Sequence, residues 1–444
     1  MLADGFFFSL MVGIGETYLP AFMLAVSAPG IAEIAAGLIT SVPLLAGAGL
    51  QLLSPRAVRW FGSHRRWVVL CATIQAASFL PLCAGALAGR IPTTAVFCIA
   101  ALYWGFGMST GPAWNTWAET IVPRRLRTSY FARRTKFTQA GVLVGFVAGG
   151  VALHVAKMYD STAHPRYFEL RAFALLFLIA GVCRFISARC LASQSEPQPL
   201  VDEHRNVTVG QLWKRALVGK NERLLIYLIS VQFSVYIAAP YFNPFMLGHL
   251  QLPYATYMLL IASSFVAKML SLAALGRVAE RWGAQRLLWV GGIGIIPLSG
   301  MWIISRSFPF LVIIQLAGGV AWAAYELAMF LLFFETIRRD ERTSILTVFN
   351  VANALAIVLG SLCGGAILRV IGEQPDTYLL IFGLSSVARL FTLVFLSRLP
   401  EFHFHAEPMG LRTLAVRPSD GSMDAPILPS LPEDKLDRSS TNDE

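Results

Sequence analysis

The sequence predicts an all-α membrane protein: twelve transmembrane helices in two six-helix repeats. Three observations predict it. The first is composition: of 444 residues, 56% are hydrophobic and 14% are charged, where a soluble domain carries about 25% charged residues. A soluble core has no room for so much apolar surface, which excludes a soluble enzyme, a nucleic-acid-binding domain and a disordered chain. The second is the length of the apolar runs, and the third is an internal repeat at one offset. The formal net charge of +10 does not signal nucleic acid, because the basic residues sit in short loops between long apolar runs.

A span needs about 20 apolar residues. Twelve segments meet that length: 6–26, 32–53, 67–87, 93–113, 137–156 and 171–190, then 223–247, 254–275, 286–305, 308–333, 345–369 and 377–398. In lipid every backbone polar group must be satisfied internally, so each segment reads as a helix. β-barrel strands are short and alternating, unlike these runs. The first segment is long enough to span and lacks a basic leader, so no cleavable signal peptide is expected. Cys71, Cys83, Cys98, Cys183, Cys190 and Cys363 all fall in apolar runs, with no C-x-x-C pair. They read as buried free thiols rather than a disulfide or metal framework.

Orientation follows from Lys and Arg in the loops. One side carries 23 of them and the other six, which places both termini in the cytoplasm. Four regions result: a six-helix half over 1–190, a polar cytoplasmic loop over 191–222, a second six-helix half over 223–398, and a tail over 399–444. The tail is rich in Pro, Ser and acidic residues and reads as disordered. It has net charge −5, against +15 for the rest. Asn206-Val207-Thr208 matches a glycosylation acceptor but lies in the cytoplasmic loop and is discounted.

The halves repeat each other. Glu119-Thr120-Ile121 recurs as Glu335-Thr336-Ile337, and Arg127-Thr128-Ser129 as Arg342-Thr343-Ser344. Gly145, Gly149 and Gly150 recur as Gly360, Gly364 and Gly365. Three ordered matches at an offset of 215 or 216 point to duplication, and parallel six-helix repeats are a transporter architecture.

The loop between helices 8 and 9 reads Gly276-Arg277-Val278-Ala279-Glu280-Arg281-Trp282-Gly283, with Arg286 beyond it. It resembles the cytoplasmic loop signature of the major facilitator superfamily. Glycines allow a tight interhelical turn, and an acidic residue can pair with Arg or a helix end and latch one conformation. Gly276, Arg277, Glu280, Arg281, Gly283 and Arg286 are the expected latch. The first copy, between helices 2 and 3, has Gly62, Arg65 and Arg66, but Pro55 replaces the first glycine and Arg59 the acid. Helix 5 reads Gly145-Phe146-Val147-Ala148-Gly149-Gly150, similar to the family's glycine-rich antiporter stretch, with Phe146 where proline is usual. Gly141, Gly145 and Gly149 recur every fourth residue, which suits close helix packing. Gly111-Pro112-Ala113-Trp114-Asn115-Thr116-Trp117 is similar to the end of helix 4 in uncharacterised bacterial members. The resemblance covers residues 1–398 and says almost nothing about substrate.

Ionisable residues inside spans cost roughly 2.5 to 3.5 kcal/mol each and are functional candidates. Glu16 lies ten residues into helix 1, about 15 Å deep. Pro20 has no N–H, so a free Glu16 carbonyl is expected beside the carboxylate. That pairing suits a proton, a cation or a substrate amine. Lys268 shares a face with Ser264 and Ser271 and is expected at an anionic solute or a carboxylate, or snorkelling toward the cytoplasm. Glu326 lies near Trp322 and Tyr325. By resemblance, helices 1, 4, 7 and 10 line the central cavity, which places Glu16 and Glu326 there. Trp104, Tyr236 and Asn350 are candidate lining residues. Arg389, mid-way along helix 12, reads as a structural intramembrane charge.

The expected function is secondary active transport of a small organic solute, charged or zwitterionic, by alternating access with proton coupling through Glu16. The alternatives are a non-transporting sensor or assembly factor on the same scaffold, or a lipid-handling protein. No enzyme constellation, cofactor, metal site or P-loop is read. The expected partners are the solute, a proton or other ion, and the lipid bilayer; a monomer in the inner membrane is expected.

Overall fold

The computed structural model describes residues 2–28, 30–121, 127–160, 166–196, 223–336 and 342–399. Within the described helices, the side chains of Glu119, Glu280 and residues 127–133 and 342–348, among others, are not described. Twelve helical runs are long and apolar enough to cross a membrane. In the first half, α1 is Leu2–Val26 and α2 is built from Ala32–Leu38 and Val42–Phe61. Then come α3, His64–Leu87, α4, Thr93–Ile121, α5, Arg127–Tyr159, and α6, Tyr167–Ala192. In the second half α7 is Arg223–His249, α8 Tyr254–Trp282, α9 Ala284–Ile303, α10 Phe308–Thr336, α11 Arg342–Ile371 and α12 Pro375–Leu396.

Several helices run past the apolar segments read from sequence. The turns of α4 after 113, of α5 before 137 and of α8 after 275 are helical yet charged or polar. Hydropathy marks where the hydrocarbon ends, not where the helix ends. Of the expected central loop and tail, residues 197–222 and 400–444 lie outside the described residues. With twelve spans, the start of α1 and the end of α12 lie at one end of the bundle, the terminal end; the other is the distal end.

The packing repeats. In the first half α1 packs on α5 and α6, α2 on α4, and α3 on α4 and α6. In the second, α7 packs on α11 and α12, α8 on α10, and α9 on α10 and α12. The halves meet through α2 on α11 and, reciprocally, α5 on α8. This is the pairing that a pseudo-twofold axis along the bundle generates.

The closest crossings use the glycines that the repeat exposes. A β-carbon on Gly145 would lie 2.6 Å from the Leu10 carbonyl oxygen, and one on Gly149 would lie 2.4 Å from the Tyr18 ring. In the second half Gly360 would meet the Phe233 carbonyl at 2.4 Å and Gly364 the Ile237 carbonyl at 2.2 Å. The tyrosines are duplicated too. Tyr18 donates its hydroxyl to the Phe146 carbonyl at 2.5 Å, and Tyr241 donates to the Ser361 carbonyl at 2.5 Å. The two acceptors are 215 residues apart, the glycine offset. Small residues let backbones approach, and each tyrosine hydroxyl finds a buried acceptor in a carbonyl of the facing helix.

Two aromatic clusters fill the halves. Phe22 meets Phe177 edge-on at 4.9 Å, and Phe242 stacks on Phe382 at 4.3 Å; such pairs are worth about 0.5–1.5 kcal/mol beyond their area. All six cysteines are free, but Cys98 and Cys363 are exposed on the bundle surface rather than buried as expected. Each faces outward on a helix whose opposite side packs, where an apolar thiol needs no cover in lipid.

Gly364→Val is expected to lower the thermal midpoint of the purified protein sharply, because the new atoms meet backbone rather than a movable side chain; overpacking of this kind costs about 1–3 kcal/mol or more. Gly49→Val, on an exposed face with nothing within 4 Å, is expected to change stability by less than about 0.5 kcal/mol. Thermal unfolding of the two variants beside wild type checks the contrast.

Candidate functional site

The first candidate site is a break in α1. The α-helix ends at Ile14, and Glu16–Tyr18 form a single 3-10 turn before helix resumes at Leu19. Pro20 causes the break, since it has no N–H for the Glu16 carbonyl. That carbonyl is nevertheless satisfied: tightening to a 3-10 turn lets the Leu19 N–H donate to it. The free carbonyl expected from sequence is therefore absent, because the turn shifts the hydrogen bond by one residue. The carboxylate is where it was expected, in the middle of α1, with Glu16 5% exposed.

Glu16 points at α4. The Tyr103 hydroxyl donates to its Oε2 at 2.5 Å, and Met11 Sδ lies 3.3 Å from the same hydroxyl. Phe79 and Trp104 meet the Tyr103 ring edge-on at 5.4 and 5.7 Å. Trp104 thus belongs to the Glu16 surroundings as a wall of the tyrosine. Tyr236 is fully buried in α7 against Gly360 of α11, a packing position. Asn350 is half-buried on α11. Tyr236 and Asn350 belong to the second half, whereas Glu16, Tyr103 and Trp104 belong to the first.

Lys268 and Glu326 are brought together. Lys268 Nζ lies 2.7 Å from Glu326 Oε1 and 2.6 Å from Oε2, both side chains buried. The crossing of α8 and α10 is tight here: a β-carbon on Gly319 would lie 2.2 Å from the Ser264 carbonyl. Of the roles expected for Lys268, counter-ion to a carboxylate is the one the geometry shows. It does not snorkel.

Arg389 reaches across to α9. Its Nη1 donates to the Ile295 carbonyl at 2.8 Å, and Ser386, one turn earlier, donates to the Ile296 carbonyl at 2.8 Å and accepts from Gly300 N–H at 2.8 Å. These carbonyls belong to the break before Pro297, where α9 changes from one helical segment to the next. Arg389 thus makes a backbone contact rather than an ion pair among the described residues.

Sequence reasoning missed a charged network at the terminal end of the first half. Asp4, 2% exposed, accepts from Arg134 Nη2 at 3.3 Å and from the Ser187 hydroxyl at 2.7 Å. Arg184 donates to Ser187 at 2.8 Å and to Gln75 at 2.7 Å. Arg134 also covers the Trp114 ring at 4.2 Å. Arg134 and Arg184 count as loop cations in the topology sum, yet both are buried inside helices; a hydropathy window ends before them. Asp4 precedes the expected start of helix 1. One signal was available: Arg184 lies inside an expected span and needs a partner there.

The expected latch is differently built. Gly276 sits inside α8, so it makes no turn; the helix runs on to Trp282. The turn is Gly283 alone, with φ +86°, a conformation glycine adopts freely. Arg277, Arg281 and Arg286 are exposed, and the Glu280 side chain lies outside the described residues. In the first half the acid missing from the loop comes from beyond α6. Glu196 accepts from the Ser63 hydroxyl at 2.5 Å and from the His64 and Arg65 N–H groups at 2.7 and 3.3 Å, at the start of α3. A carboxylate is favoured at a helix N-terminus.

Removing one partner of a buried ion pair costs about 3–5 kcal/mol, while replacing both by apolar groups is nearly neutral. Lys268→Met and Glu326→Gln are therefore each expected to destabilise strongly, and the double variant Lys268→Met with Glu326→Leu to recover most of the loss. Thermal unfolding of the three variants checks this; a double variant as unstable as the singles contradicts a paired, structural role.

Residues 224–409 match the sequence model of the Major Facilitator Superfamily. No curated protein matches the chain in sequence. Among solved structures, a mutant of the nucleoside transporter NupG matches at TM-score 0.68 and 15% identity, covering 89% of this chain and 98% of that one. A bacterial homologue of the iron transporter ferroportin, in an inward-facing state, matches at TM-score 0.64 and 14% identity, covering 89% and 96%. The xylose transporter XylE from E. coli matches at TM-score 0.60 and 12% identity, covering 89% and 95%. The second half thus resembles the Major Facilitator Superfamily in sequence, and the chain as a whole shares the fold of solved transporters, with twelve helices among the described residues long and apolar enough to cross a membrane.

Proposed function

We propose that the chain is a proton-coupled secondary transporter of a small organic solute, and that Glu16 is the coupling group. One observation carries the reading: the break is built twice, but the carboxylate once. Tyr18 and Tyr241 occupy equivalent places, each the last residue of a 3-10 turn and each bonded to an equivalent carbonyl. Two residues before Tyr18 stands Glu16; two before Tyr241 stands Ala239. Packing at this position needs no carboxylate, since the second half has none. A charge retained in hydrocarbon without a structural need is a functional candidate.

The chemistry follows from burial. An ionised Glu16 is costly away from water unless a donor or cation faces it, and protonation removes the charge. The Tyr103 hydroxyl bonds the carboxyl and fixes one oxygen. A proton, or an amine of the solute, then neutralises the group while the halves rock about it. The pairing of Lys268 with Glu326 takes two charges out of the case for a charged solute. What remains, Glu16 in an aromatic surround, favours a solute with an amine or cationic group and an apolar body. The excess of Lys and Arg at the terminal end supports cytoplasmic termini in an inner membrane, with the chain acting as a monomer.

A thermal-shift screen of the purified protein against a solute panel, at two pH values and with Glu16→Gln beside wild type, tests this. Ligand binding to the native state stabilises by about 2.7 kcal/mol at a hundredfold excess over Kd. The expected result is a solute shift that depends on pH in wild type and loses that dependence in Glu16→Gln. An equal, pH-dependent shift in both proteins removes Glu16 as the coupling group.

A further inference from the structure

A second cluster of titratable groups lies at the distal end, where the halves meet. Glu33 opens α2 in the first half. His249 closes α7, Tyr378 lies in the first turn of α12, and Glu373 lies in the connection between α11 and α12. Glu33 Oε2 lies 2.8 Å from His249 Nε2 and accepts from the Tyr378 hydroxyl. The Glu373 carboxyl lies near enough to feel the Glu33 charge and accepts from the Ile34 N–H. Its Oε1 is buried and takes no hydrogen bond. The fit is close: a β-carbon on Gly248 would lie 3.0 Å from Glu33 Oε1. A neighbouring contact also crosses the halves here, with the Tyr254 hydroxyl donating to Glu169 Oε1 at 2.7 Å. In both contacts the first half supplies a carboxylate and the second half the donor.

We propose that this cluster is a proton-binding clasp: with Glu373 protonated, the His249 and Tyr378 contacts on the Glu33 carboxylate keep the distal end closed. The inference rests on the alternating-access reading but concerns a different site from Glu16. Two carboxylates on opposite halves repel when both are ionised, and a proton on Glu373 removes the repulsion. The orphaned Glu373 oxygen is the place for that proton.

The surroundings support the sign. From α7, Tyr241 lies near Tyr378, and the Phe245 ring lies tilted at 5.5 Å from that of Tyr378, with Arg306 6.0 Å from the Phe245 ring. Asp376 and Arg369 are exposed. Burial first, and then the Glu33 charge, hold the Glu373 carboxyl above the usual carboxylate range, offset in part by the Ile34 N–H and His249. A group whose pKa is raised in the closed arrangement favours closure below that pKa and loses the effect as pH rises through it. Acid on the distal side therefore closes the distal end, and alkali opens it.

The test is a distance measurement across the clasp in the full chain in lipid nanodiscs. The native cysteines are replaced, and spin labels are placed at Ile31→Cys and Val370→Cys, which are 50% and 84% exposed and on opposite halves. The expected result is a single short distance at acid pH and a growing longer component as pH rises. Glu373→Gln, which cannot ionise, is expected to keep the short distance across the range, and His249→Phe to shift the opening to lower pH. A distribution that pH does not change, or a Glu373→Gln protein that opens as wild type does, overturns the clasp. Solute binding read on the same samples separates the two readings: a pH-independent distance in a solute-binding protein removes the clasp and leaves the transporter.

Discussion

A charge inside hydrocarbon must find its partner within the protein, and most of the helix pairings here depend on that constraint. Lys268 and Glu326 tie α8 to α10. Asp4, with Arg134, Ser187, Arg184 and Gln75, ties α1 to α5, α6 and α3. Arg389 and Ser386 bind α12 to the opened carbonyls of α9. None of these groups is easily moved alone, because each leaves another buried and unmatched. The pairs therefore hold each half together as a unit, and the freedom left to the molecule lies between the halves.

The duplicated scaffold carries unduplicated chemistry. Glycine faces on α5 and α11 admit α1 and α7 at backbone contact, and Tyr18 and Tyr241 lock both crossings in the same way. On this symmetric frame the first half places a carboxylate at its break and the second places an alanine. The distal contacts are asymmetric too, with Glu33 and Glu169 on one side and His249, Tyr378 and Tyr254 on the other. The bundle is thus symmetric in its packing and asymmetric in its ionisable groups.

Much of this was legible in the sequence, for a physical reason. Lipid forces long apolar helices, so twelve spans and the 215-residue offset of Gly145, Gly149 and Gly150 stand out without any structure. Glu16 was legible as a charge beside a proline. Its partner Tyr103 was not, since one tyrosine on a span is as often packing as function. Glu33, His249, Glu373 and Asp4 were missed because they lie at span edges, where a polar residue is unremarkable until the fold shows it buried against another helix. Gly276 was misread as a turn residue because a charged helical extension and a loop have the same composition.

The central claim is that Glu16 changes protonation inside the bundle. Infrared difference spectroscopy of the purified protein in lipid, with and without a bound solute and across pH, reads this directly through the carbonyl stretch of a protonated carboxyl. The account predicts a band that solute binding alters in wild type and that is missing in Glu16→Gln. A band that persists unchanged in Glu16→Gln places the responsive proton elsewhere and contradicts the account.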